Sequence, residues 1–198
     1  MTMNFNTAKT QKNFEPVPDG VYLLHVTINP GGAGPDGWLK ESKDGLSLGL
    51  DCEFTVVDGE YANRKIFARF TISGTTDGHK TAAEISGQTL RAVLESARGI
   101  RPDDTSDAAC QARSIASYED LSDLRILAKI GTQPAKGGYE AKNVLRYIIT
   151  PGMKDWRAVE QIKAPSAAPV NAYAAASAAR THEPPPPPAA VQKPSWAN

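Results

Sequence analysis

Residues 46–56 constrain the fold more than any other part of this chain. Leu46, Leu48, Leu50, Cys52, Phe54 and Val56 alternate with Ser47, Gly49, Asp51, Glu53 and Thr55. A period of two places the apolar set on one face of an extended strand and the polar set on the other. Such a strand belongs in an antiparallel sheet with one face on a core and the other in water. Residues 21–28 (entered by the turn pair Asp19-Gly20), 65–73, 124–130 and 143–150 read as strands in the same way. Residues 58–63 join the second and third of them as a hairpin with a loop longer than the tight two-residue kind. The segment 29–45, which holds Gly31-Gly32, Gly34 and Gly37, is expected to be a long mobile loop.

A helix is expected between the third and fourth strands. Thr81 with Glu84 three residues later has the spacing of a capping box. Leu90, Val93, Leu94 and Ala97 then form one apolar stripe, and Gly99 is placed to end the helix. Gly87 costs about 1 kcal/mol relative to alanine inside a helix, which shifts the expected start toward Ser86. A shorter turn at 117–121 carries its own cap spacing. Three strands, a helix and two more strands is the order of a mainly β, five-stranded Greek-key barrel of OB-fold type, with its helix between strands three and four. A β-sandwich decorated by a helix has the same periodicity.

Composition sets the boundaries. From Ala164 onward the 198-residue chain is Ala, Pro and Ser with few large apolar residues, including the run Pro184 to Pro188. Such a segment cannot bury enough surface to offset its ordering entropy. The expected organisation is a flexible lead-in at 1–13, one domain at 14–162 and a disordered tail at 163–198, its proline run favouring a polyproline II rod. No run of about 18 apolar residues is present, so no spanning helix and no membrane partner are expected. Cys52 and Cys110 are the only cysteines, which excludes a disulfide scaffold and fits a reduced, cytoplasmic setting. With 22 Lys+Arg against 22 Asp+Glu, condensation of duplex DNA by bulk charge is excluded, whereas a local basic groove is not.

The third strand carries the most functional information. Ile66, Ala68, Phe70 and Ile72 share a core face, and Lys65, Phe67, Arg69 and Thr71 share the wet one. An aromatic ring between two cations suits single-stranded nucleic acid: the ring stacks a base and the cations neutralise neighbouring phosphates. The competing reading packs Phe67 under a helix or loop and leaves Lys65 and Arg69 solvated. On the fourth strand Arg125 and Lys129 lie opposite Leu124, Ile126 and Ala128. On the fifth, Lys142 and Arg146 share one face while Asn143, Leu145, Tyr147 and Ile149 share the other. In an OB-fold the loops joining strands one–two and four–five flank the ligand groove. Here they would supply Trp38, Lys40 and Lys43 on one side and Lys136 with Tyr139 on the other.

Catalysis finds no comparable support. Asp103, Asp104 and Asp107, and Glu119, Asp120 and Asp123, fall in loops and helix starts, where carboxylates cap. His25, His79 and His182 lack zinc spacing, and no Walker motif, nucleophile elbow or dinucleotide fingerprint occurs. Neither a metal, nor a cofactor, nor an enzymatic activity is expected.

The run 59–67, Gly-Glu-Tyr-Ala-Asn-Arg-Lys-Ile-Phe, followed by Arg69-Phe70, resembles the central hairpin of a small family encoded in tailed-phage replication and recombination modules. The helix ending at Gly99, Tyr118-Glu119-Asp120-Leu121, and the run 139–144 fit the same pattern in order, so the resemblance covers about 14–149. It implies an OB-fold single-stranded DNA-binding protein that acts in phage replication or recombination. Many such proteins end in an acidic tail tipped by an aromatic residue. This chain ends Lys193-Pro194-Ser195-Trp196-Ala197-Asn198, without the acidic run, which leaves Trp196 as the expected docking point for phage or host replication proteins. The rival expectation is a protein–protein adaptor or inhibitor with the barrel as scaffold and the Pro-rich tail as ligand. Exposed sheet edges would also support a homo-oligomer.

Overall fold

Alternation becomes a ladder wherever backbone groups find antiparallel partners, and the computed structural model describes this for residues 6–7, 15–138 and 140–158. The lead-in residues Phe5 and Phe14, the loop residue Tyr139, and the expected tail with Trp196 lie outside the described residues. The elements are β1 (Gly20–Asn29), β2 (Lys40–Glu41), β3 (Ser47–Val56), β4 (Lys65–Gly74), α1 (Asp77–Arg98), α2 (Asp107–Ala112), a 3-10 turn (Tyr118–Leu121), β5 (Arg125–Gln133) and β6 (Lys142–Ile149). Among them no helix is long and apolar enough to cross a membrane.

The strands form one antiparallel sheet. β3 pairs with β4 and β1, β1 with β5, and β5 with β6, while the short β2 extends the β1 side of β3. β4 and β6 are therefore two edges that no ladder joins, so the sheet is open where a closed barrel was expected. The sixth strand, β2, arises inside the segment expected to be a mobile loop. That segment is tied down: Ala33 and Leu39 exchange backbone hydrogen bonds, Gly31 and Gly32 donate to the Gly37 carbonyl, and Leu39 is buried.

One face of the sheet carries the main core. Leu24, Val26, Leu50, Phe54, Ile66, Ile126 and Ile130 are each at most 2% exposed. The Phe54 and Phe70 rings meet edge to face at 6.3 Å. Val93 and Leu94 of α1 plug this core, and Leu90 and Ala97 flank them, as the apolar stripe requires. The helix begins earlier than the Thr81–Glu84 spacing suggests. Thr76 is the cap, its hydroxyl accepting from the His79 amide at 3.2 Å. Gly87 is tolerated because its position opens to solvent, and Gly99 ends the helix in the left-handed region at φ 66°. Ser117 and Asp120 close a capping box on the 3-10 turn, and Asp120 accepts from the Ala116 and Ser117 amides, which hold its carboxyl below the usual range.

The opposite face is not wholly wet. Leu23, Leu127 and Ile149 pair across β1, β5 and β6 and are buried in a second cluster under Val21, Val57 and Trp156. Trp156 reaches this site because the chain turns back after β6, its amide bonding to the Met153 carbonyl at 3.1 Å. The indole also rests against Gly99, where a Cβ would lie 3.9 Å from the ring. Trp156→Ala should destabilise the protein by about 3 kcal/mol, the lower part of the range for removing a large aromatic. That is roughly a 10 °C fall in Tm for a domain of this size. Trp156→Phe should cost much less, because the indole Nε1 is buried with no partner among the described residues and its loss strands nothing. Thermal unfolding of both variants checks this; equal losses would contradict it.

Candidate nucleic-acid interface

Two exposed aromatics and two arginines meet where the sheet is open. A groove of about 560 Å³ runs between the edge strands β4 and β6, with α1 as its third wall. Phe67 and Arg69 enter from β4, Arg146 and Tyr147 from β6, and Ile85 and Gln88 from α1. Phe67 is 67% exposed, Ile85 59% and Tyr147 50%, so the rim is apolar and open to solvent. Phe67 and Arg69 also wall a second concavity of about 350 Å³ with Asn29 and Asp51. Phe67 thus stands out from the sheet and is not packed under a helix or loop.

Tyr147 reaches the groove through a register shift. Lys129 pairs with Tyr147 but Ile130 pairs with Leu145, so Arg146 is an extra residue on β6. An inserted residue breaks strict alternation. Leu145 consequently packs on the main core while Tyr147 and Ile149 point to the opposite face, which separates residues the alternation had grouped together. The signal in the sequence is Gly131, since a glycine inside a strand marks a bulge or a close approach. The Arg146 side chain lies where a Cβ on Gly131 would sit, and its Nη2 donates to the Thr132 carbonyl at 3.0 Å. The other half of the sheet repeats this arrangement. Arg69 lies over Gly49 beside a register shift, and its Nη2 donates to the Lys40 carbonyl at 2.8 Å.

The electrostatics of the two halves differ. Cross-strand register sets Asp51 opposite Arg69, Glu53 opposite Phe67 and Thr55 opposite Lys65. Lys65 Nζ lies 2.9 Å from Glu53 Oε1, while Arg69 Nε is 3.6 Å and Lys40 Nζ 3.5 Å from the Asp51 carboxylate. The cations beside Phe67 are therefore paired with acids of the neighbouring strand. Among the described residues, no carboxylate lies within ion-pair distance of Arg125, Lys129, Lys142 or Arg146. Lys129 stands directly across from Tyr147.

The remaining expected site residues are dispersed. Trp38 is half-buried against the main core, and Lys43 is exposed in the turn before β3. Arg125 is half-buried and pairs across with His25, which contacts Asp123 at 3.0 Å. Lys136 and Lys142 line a separate concavity of about 330 Å³ with Glu140. Cys52 is buried in the core, where burial and then the Asp51 charge push its thiol to about 12. Among the described residues no group of three His, Cys, Asp or Glu side chains is placed to hold a metal ion. No model of a known protein family matches the chain, and no curated protein sequence matches it.

Proposed function

We propose that this protein is a sequence-tolerant, non-enzymatic binder of single-stranded DNA. The observation that carries the reading is the pair of exposed rings, Phe67 and Tyr147, on the two walls of one groove with Arg146 beside them. Every base has a π-face, so rings on a solvent-open rim accept any sequence, and arginine adds charge and a stacking plane. The groove is open to solvent along its apolar rim, which suits entry of unstacked bases.

The strand path β4–β3–β1–β5–β6, with the main helix following β4, supports an OB-fold barrel left open between its third and fifth long strands. The likeness of residues 59–70 to the hairpin of phage single-strand binders supports a role in tailed-phage replication or recombination. The test is fluorescence anisotropy of a labelled oligo-dT titrated with the full chain at low and moderate salt. Micromolar or tighter binding that weakens with salt is expected. Absence of binding at low salt refutes the reading.

A further inference from the structure

We infer that the groove is electrostatically two-sided: the phosphates of a bound strand track the β5–β6 side, and Asp51 and Glu53 hold the β3–β4 side close to neutral so that bases occupy it. The inference rests on the single-strand reading and adds to it the path of the backbone and the residues that reserve one side for bases.

On the β3–β4 side, Lys40, Lys65 and Arg69 face Asp51 and Glu53, three cations against two carboxylates. The acids are the better-shielded members, at 29% and 15% side-chain exposure, against 43–56% for the cations. They are fixed on the middle of β3, with Glu53 also accepting from the Thr55 hydroxyl at 3.3 Å. A phosphate that approaches Lys65 must displace a carboxylate tethered 2.9 Å away and then leave that carboxylate bare. The exchange neutralises no additional charge, so it releases no net counterions and gains little. An uncharged base meets no such obstacle over Phe67, which sits directly across from Glu53. A base edge also offers N–H groups that a carboxylate accepts.

On the β5–β6 side the balance reverses. Lys129 and Arg146 stand next to Tyr147 with no carboxylate in ion-pair range among the described residues. A phosphate there neutralises a cation outright and releases its own counterion. Opposite edges of one groove thus sort the two parts of a nucleotide.

Salt titrations of oligo-dT binding by the full chain test the assignment. Lys129→Gln and Arg146→Gln should each weaken binding severalfold and flatten the log K against log[salt] slope by about 0.7, the share of one single-strand phosphate. Lys65→Gln should leave the slope at its wild-type value. Glu53→Gln and Asp51→Asn should tighten binding and steepen the slope, because the first frees Lys65 and the second frees Lys40 and Arg69. Equal flattening by Lys65→Gln and Arg146→Gln, or no tightening by either acid substitution, overturns the two-sided groove while wild-type binding stands. A wild-type protein that does not bind oligo-dT fails earlier and visibly, and removes the single-strand reading together with this one.

Discussion

Replacing Phe67 and Tyr147 together by alanine is expected to weaken oligo-dT binding at least about thirtyfold and to leave Tm almost unchanged. A base stacked on an aromatic side chain contributes roughly 1–3 kcal/mol. Two rings at the low end of that range amount to about 2 kcal/mol, and every 1.4 kcal/mol is tenfold in affinity. Both side chains are half exposed or more, so their truncation opens no cavity and the folding cost stays small. Each single variant should lose part of the affinity, with Tyr147→Ala as damaging as Phe67→Ala if the strand passes between the two walls. A Tyr147→Ala protein that binds like wild type would confine the site to β4. Affinity and Tm both unchanged in the double variant would remove the groove from consideration. Full-length protein serves for these measurements, with circular dichroism confirming the fold.

That experiment depends on a residue the alternation pattern places elsewhere, and the reason is physical. Period-two reading assumes that each residue along a strand faces one neighbour, which holds for β3 from Leu50 to Val56 and for most of β4. It fails at Arg146, where one extra residue reverses the faces of everything after it. Long-range pairing decides where such a residue falls, and only Gly131 hints at it locally. Electrostatics failed to be legible for a related reason. Asp51 and Glu53 are visible as polar residues of one strand, and Lys65 and Arg69 as cations of the next. Their mutual neutralisation appears only when hairpin register sets Asp51 against Arg69. The helix start follows a plainer signal than the capping-box spacing of Thr81–Glu84: the cap is Thr76, which has His79 at the third position and needs only its hydroxyl. By contrast, the strand segments, the Val93–Leu94 stripe and the Gly99 stop depend on local periodicity and backbone conformation, and they could be read directly.

Glu95→Ala is expected to produce the largest stability loss of any single substitution considered, about 3–5 kcal/mol, with Tm falling on the order of 10 °C or more. Glu95 is 3% exposed on α1, and its Oε1 accepts from Arg91 Nε and Arg113 Nε, each at 2.8 Å. A carboxylate is tolerated at that depth because two guanidiniums compensate it. Removing it leaves the Arg113 side chain, only 13% exposed, with no counter-charge. The damage should also spread along the chain. Arg113 donates to the carbonyls of Asp104 at 2.7 Å and Arg101 at 2.8 Å, and Arg91 to that of Pro102 at 2.9 Å. Glu95 therefore orients the two side chains that hold the 101–104 loop and α2 against the main helix. Hydrogen exchange at 101–116 should accelerate in Glu95→Ala ahead of the β1–β3 ladder. Two comparisons separate this from simple loss of a helical residue. Glu95→Gln retains an acceptor oxygen and loses only the charge, so its cost should be intermediate. Arg91→Ala removes the half-exposed partner while Arg113 still compensates the carboxylate, so it should cost clearly less than Glu95→Ala. A Glu95→Ala loss no larger than that of Arg91→Ala would mean that Arg113 is held by its backbone carbonyls alone, and that the buried carboxylate does not organise this end of the helix.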